Sequence, residues 1–198
     1  MNNVSGVCGI DPSLTGSAVC CWDPDGTGPS FQEKYGSQPA KTLAGRIDRF
    51  ETLARSVCRS LQGTTLVVIE GYSHGSKGSS VLSIAEYGGI LRAAMLKITP
   101  HVIEVSPSAL KKFATGKGNS PKDVLMAHVA KRWGVLFSSN DEADAYVLAR
   151  IGLCLAGFGQ PETEWQREVI EKIKSSHPQI GSNDHERTDR RIHGACQT

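Results

Sequence analysis

Val4-Ser-Gly-Val-Cys-Gly-Ile-Asp11, running straight into Pro12-Ser-Leu-Thr-Gly16, reads as a buried strand that ends on a carboxylate and turns at once. The turn leads into a second strand over 15–22, and Asp23-Pro-Asp-Gly26 is a further turn signal before a third strand over 29–35. Outward from there the period changes. Leu43, Ile47, Phe50, Leu53, Ala54, Val57 and Leu61 recur at spacings of three and four, which predicts a helix over 41–61. Gly63 stops that helix, and Leu66-Val-Val-Ile-Glu70 is the continuous apolar run of a central parallel strand. Further helices are expected over 81–97, 108–113, 121–133, 140–156 and 161–174, with a short strand over 101–105. Gly88-Gly89 inside the second helix costs helix stability, so close packing against a neighbouring backbone is expected there. Ser139-x-x-Glu142 forms a capping box, and Pro121 suits a helix start.

Three strands with tight connections, then helix, strand, helix, strand and more helices, predict an α/β fold. Its form is the ribonuclease-H-like five-stranded mixed sheet, three strands antiparallel and then two parallel, flanked by helices. The chain has 198 residues, which allows one well-buried domain with an appendage. We expect a nuclease-type domain over 1–158, a C-terminal helix over 159–175 and a polar, aperiodic, disordered tail over 176–198. Hydrophobic content of 39% and charge of 21% suit a globular protein. No apolar run reaches the roughly 20 residues that span a bilayer, so no membrane partner is expected. The six cysteines show no disulfide or zinc spacing. Free thiols packed as small hydrophobes, and hence a cytoplasmic, reducing compartment, are expected.

Four acids stand where the pattern breaks. Asp11 and Glu70 close the first and fourth strands, whose ends this layout places side by side. Asp141 and Asp144 open an apolar helix and, three residues apart, differ in direction by only about 60°. Each alone has an ordinary reading: a turn aspartate, a surface ion-pair partner, compensation of the helix dipole. Together they are the oxygen-ligand set that a two-metal phosphodiester-cleaving site requires, two Mg²⁺ ions about 3.5–4 Å apart held by rigid elements. Without metal, mutual repulsion should raise the pKa of at least one. The net charge of +2 is too small to identify a nucleic-acid partner. Its distribution is more telling, since Lys111, Lys112, Lys117 and Lys122 cluster with no acid among them.

Gly9-Ile-Asp-Pro-Ser-Leu-Thr-Gly16, Val68-Ile-Glu70, Thr115-Gly-Lys-Gly-Asn-Ser-Pro-Lys122 and Asp141-Glu-Ala-Asp-Ala145 resemble, in collinear order over about residues 5–156, the RuvC-type Holliday junction resolvases. The resemblance implies a homodimer that binds four-way DNA junctions and nicks two strands symmetrically, leaving 5′-phosphate and 3′-hydroxyl ends. It implies that Asp11, Glu70, Asp141 and Asp144 hold two Mg²⁺, with Mn²⁺ able to substitute. One metal would lower the pKa of an attacking water and the other would stabilise the leaving oxygen. Lys111 and Lys122 match basic positions near the scissile strand, with Lys122 counted in the catalytic set. Tyr72 matches an aromatic that stacks on bases, and Lys77, Lys112 and Lys117 complete the expected DNA contacts. The Gly71–Ser80 loop, richer in glycine and serine, and the last 40 or so residues depart from the family. That divergence suits a phage-encoded or distant member, acting in a bacterial cytoplasm or a phage-infected cell.

Three alternatives remain at this point. One is a nuclease of broader branch specificity for forks and flaps. Another is a catalytically silent DNA-binding module of the same fold. The third is an actin-like nucleotide-binding protein, which needs a second related domain and more chain. His185, His193 and Cys196, scattered in the polar tail, make a poor metal site, and Arg187, Arg190 and Arg191 there read as solvated.

Overall fold

The computed structural model describes residues 6–22, 29–35, 38–72 and 79–178; the side chains of residues 31–35, 79–80 and 122 fall outside that description. Strands β1 (Val7–Asp11), β2 (Ser17–Trp22) and β3 (Pro29–Tyr35) are followed by helix α1 (Leu43–Arg59), β4 (Leu66–Glu70), α2 (Ser79–Met95) and β5 (Val102–Val105). Helices α3 (Pro107–Thr115), α4 (Lys122–Trp133), α5 (Asn140–Ala156) and α6 (Glu164–Ser176) complete the order. The sheet runs β3-β2-β1-β4-β5. Its first two pairings are antiparallel and the two around β4 are parallel, as the strand pattern predicts.

Register is what builds the site. Ile10 lies beside Ile69, so Asp11 and Glu70 emerge next to each other at one end of the sheet. Strand alternation then sorts the faces. Cys8, Ile10, Val67 and Ile69 pack with α1 and α2, while Val7, Leu66 and Val68 pack with α5. Asp11 and Glu70 fall on the α5 side of that alternation. Helix α5 lies unusually close to β1, because Gly9 offers no side chain toward it and Gly152 offers none toward Val7 and Val68.

Local chemistry sets the helix starts. Ser139 caps α5, its hydroxyl accepting from Glu142 N at 3.3 Å. The reciprocal half of the expected capping box is shifted by one residue, since the Glu142 carboxylate accepts from Ser138 N and Oγ, each at 2.9 Å. Ser106 caps α3 by accepting from Ala109 N at 3.2 Å, and Pro107 opens that helix. Helix α6 packs through Val169, Ile170 and Ile173 into the core on the α5 side.

The cysteine reading needs correction. Cys8 and Cys21 face each other across the β1–β2 ladder and are joined as a disulfide. Their separation of 13 carries no signal in the sequence; only the hairpin register brings them opposite. Cys20, Cys58 and Cys154 are free and buried, as expected of small hydrophobes. Cysteine usage therefore no longer points to a reducing compartment. Among the described residues, no helix is long and apolar enough to cross a membrane. The tail from residue 179 onward, with His185, Arg187, Arg190, Arg191, His193 and Cys196, lies outside the described residues.

Candidate active site

Asp11, Glu70, Asp141 and Asp144 line one cleft of about 460 Å³. They come from two strand ends and one helix start. The turn after Asp11 is held by a buried Ser17, whose hydroxyl donates to Ser13 O at 2.7 Å and accepts from Ser13 N at 3.0 Å. Tyr87 Oη lies 3.1 Å from the same hydroxyl, and Arg49 Nη2 donates to Leu14 O at 3.1 Å. The strand end therefore stays fixed while the turn passes over it.

Asp11 is only 7% exposed and Asp144 only 8%. Burial pushes the Asp11 carboxyl up to about 9, and the charges of Glu70, Asp144 and Asp141 push the same way, together with a hydrogen bond to Glu70. A hydrogen bond between two carboxyl groups needs a proton on one of them, so the metal-free cluster keeps a proton at neutral pH. A rise is what four acids in one place lead one to expect, but burial is its larger cause and the repulsion adds to it. Among the described residues, no three of His, Cys, Asp and Glu are already drawn in to metal-binding spacing. The donor set itself, four carboxylates with a buried and electrostatically unfavourable member, suits a hard divalent cation.

The basic residues divide. Lys111 on α3 lines the cleft with the carboxylates. Lys112, one residue on, points elsewhere and pairs with Glu168 of α6 at 2.5 Å, so the structure does not bring it to the site. Lys117 is exposed on the loop after α3. That loop is ordered by Thr115, whose hydroxyl donates to Lys111 O at 2.8 Å and accepts from Lys117 N at 3.2 Å. Lys122 begins α4, but its side chain lies outside the described residues, as does the whole of Lys77.

Tyr72 stands in the cleft lining, 40% exposed, with its hydroxyl donating to Ala85 O at 3.1 Å. Sequence reasoning missed its neighbour. Arg92 also lines the cleft and holds its guanidinium carbon 4.4 Å from the Tyr72 ring centroid. The glycine expectation is corrected by the same contact. A Cβ on Gly88 would lie 2.6 Å from Tyr72 Oη and 2.8 Å from Arg92 Nη1, so Gly88 makes room for side chains rather than for backbone, and Gly89 faces open space. The available signal was a lone arginine one turn after a glycine, on a helix that is otherwise apolar around it.

Among solved structures, Thermus thermophilus RuvC matches with a TM-score of 0.58 at 18% identity, over 79% of this chain and 99% of that one. The fold is that of RuvC. A structure of T. thermophilus RuvC in complex with Holliday junction substrate matches equally, with a TM-score of 0.58 at 17% identity. The yeast mitochondrial Holliday junction resolvase matches at 0.50 and 13% identity, over 86% of this chain and 83% of that one. In sequence, the crossover junction endodeoxyribonuclease RuvC of Anaeromyxobacter sp. (strain K) is 29% identical over 93 residues, 47% of this chain. A RuvC of Anaeromyxobacter dehalogenans gives the same figures. The match spans about half the length of these curated relatives, 50% in each case. No family model matches the chain. The resemblance read from the motifs is thus met by structural neighbours that are RuvC and another Holliday junction resolvase, and by a partial sequence match to RuvC.

Proposed function

We propose that the chain is a divalent-metal-dependent endonuclease that resolves four-way DNA junctions as a homodimer. The observation that carries this reading is the convergence of Asp11, Glu70, Asp141 and Asp144 on one cleft, in a fold shared with RuvC. A binding module has no use for four acids facing a polyanion, because they repel the phosphates it must approach. A nuclease needs them.

In this reading the four carboxylates hold Mg²⁺, two ions per site, with Mn²⁺ as a substitute. When bound, the metal supplies an activated water and charge stabilisation for the leaving 3′ oxygen. Burial and the charges of Glu70, Asp144 and Asp141 keep a proton on Asp11 in the metal-free cluster, and Asp11 would hold a cation in its carboxylate form. The walls built by β1, β4 and α5 hold the ligands to a fixed geometry and exclude bulk water from Asp11 and Asp144. Lys111, at the rim of the same cleft, is placed to bind a backbone phosphate or offset charge in the transition state. Lys117 and Lys122 are the further lysines that this reading assigns to DNA contact, and Tyr72 offers a face to an unpaired base. Cleavage on these terms leaves 5′-phosphate and 3′-hydroxyl ends. A four-way junction has two-fold symmetry, and a dimer presents one such cleft to each of two equivalent strands.

The test is a labelled panel of four-way junction, fork, flap and linear duplex, with and without Mg²⁺, beside Asp144→Asn. Paired symmetric nicks confined to the four-way junction are expected. Asp144→Asn is expected to lose at least about 100-fold in rate, more than changes outside a metal's ligand shell cost, while still binding the junction. Equal cutting of all branched forms would replace the resolvase with a general branch nuclease. Cutting by Asp144→Asn at the wild-type rate would end the metal-site assignment.

A further inference from the structure

Helix α2 carries one basic residue, Arg92, and its side chain is only 15% exposed. Every nitrogen of its guanidinium is engaged. Nε pairs with Glu104 on β5. Nη1 donates to Gly88 O at 3.1 Å and to Tyr72 Oη at 3.3 Å, and Nη2 donates to Glu70 O at 3.0 Å. The flat group also covers one face of the Tyr72 ring, 4.4 Å from its centroid. One planar fork therefore ties the end of β4, the residue two beyond it, the middle of α2 and the edge strand β5.

Core packing does not ask for this. An apolar side chain at position 92 would fill the space without desolvating a cation. What the guanidinium adds is a fixed relation between Glu70, a cleft carboxylate, and Tyr72, the half-exposed aromatic in the same lining. Gly88 serves the same arrangement, since any side chain there would collide with Tyr72 Oη and Arg92 Nη1.

We propose that Arg92 is a positioning residue that locks Glu70 and Tyr72 into one register, so that a nucleotide seated against Tyr72 presents its phosphate to the carboxylates. This rests on the nuclease reading above. It goes beyond that reading in assigning the choice of scissile phosphate to a side chain that touches neither metal nor phosphate. Lysine cannot replace it, because an ammonium lacks the planar fork that reaches Glu70 O and Tyr72 together.

The test has two arms. In the first, amide hydrogen exchange is followed in the DNA-free protein for wild type and Arg92→Met. Faster exchange over residues 70–72, with α5 protection unchanged, is expected. Unchanged exchange at 70–72, or a general loss of protection that includes α5, would overturn the proposal.

In the second arm, Arg92→Lys, Arg92→Met and Gly88→Ala are compared by single-turnover cleavage of a four-way junction with Mg²⁺, and by junction affinity with Ca²⁺ in its place. About 10- to 100-fold slower cleavage is expected, the scale of a misplaced reacting group. Affinity should hold within a few-fold, and nicks should spread to neighbouring phosphates. Arg92→Met combined with Tyr72→Leu should be no slower than the slower single variant, because both break one unit. Equal losses of rate and affinity, or additive losses, would overturn the proposal. Should wild type cut no DNA while exchange at 70–72 still responds to Arg92→Met, the nuclease reading falls and the positioning of Glu70 and Tyr72 by Arg92 stands.

Discussion

A Cβ on Gly9 would stand 2.1 Å from Ala145 O and 2.3 Å from Ala149 N, both backbone atoms of α5 that no rotamer change can move. Gly9→Ala should therefore cost about 3 kcal/mol, the upper part of the range for overpacking. A drop in the urea midpoint without a change in slope would register it. A variant as stable as wild type would mean that α5 does not rest on β1. Residue by residue, the sequence was most readable where a side chain contradicts its surroundings. Asp11 and Glu70 end apolar runs and Asp144 opens an apolar helix, so each stood out, and the structure brings all three with Asp141 to one cleft. Arg92 did not stand out, because its partners Glu70, Tyr72 and Glu104 are distant in sequence and meet only across three elements. Lys112 was grouped with its neighbours by proximity in sequence, yet helical rotation turns it from the cleft to Glu168.

Among the elements, α2 has an apolar side that faces outward as well as one that faces the core. Tyr87, Leu91 and Met95 are buried against the sheet and α1, while Leu82, and Leu96 just past the helix end, are 76% and 57% exposed on the outside, with Gly89 and Ala93 between them. A second copy of the chain, as the proposed homodimer requires, would be seated on this outer stripe. Small residues flanked by leucines let two helices approach closely. Leu82→Glu with Leu96→Glu should yield a monomer by sedimentation with an unchanged far-ultraviolet spectrum. A dimer that survives both would move the interface elsewhere. The strands and helices themselves were legible because their periods differ. The strand pattern ran apolar to its end, α1 repeated at three and four, and glycines marked the stops. Element ends were less so, as the Glu142 carboxylate shows by reaching Ser138 rather than Ser139. The Cys8–Cys21 pairing was hidden altogether, since it exists only once β1 and β2 are in register.

For the whole molecule, the buried Asp11 links folding, metal and pH. Its folded pKa of about 9 exceeds the ordinary 3.8. Between those values the folded state holds a proton that the unfolded state has released, so this group makes metal-free stability fall as pH rises through that window. Metal binding to the carboxylate form releases the proton, so Mg²⁺ should stabilise more strongly at high pH. Thermal melts at about pH 6 and about pH 8, with and without Mg²⁺, check the sign. Asp11→Asn should flatten the pH dependence of the metal-free protein and abolish the growth of the Mg²⁺ effect. An unaltered slope in that variant would remove Asp11 from the linkage.

Helix α6 adds something of a different kind. Trp165 lies against Gly116, its ring carbons 3.5 Å from where a Cβ would be, at the left-handed residue that opens the Lys117 loop. The other two tryptophans, Trp22 and Trp133, sit under the Arg150 guanidinium in the aromatic cluster around Tyr146. The chain thus carries its own optical probe packed against the loop that holds Lys117. With Trp22 and Trp133 replaced by phenylalanine, the emission of a single native indole would follow that loop in real time as DNA arrives, without a dye.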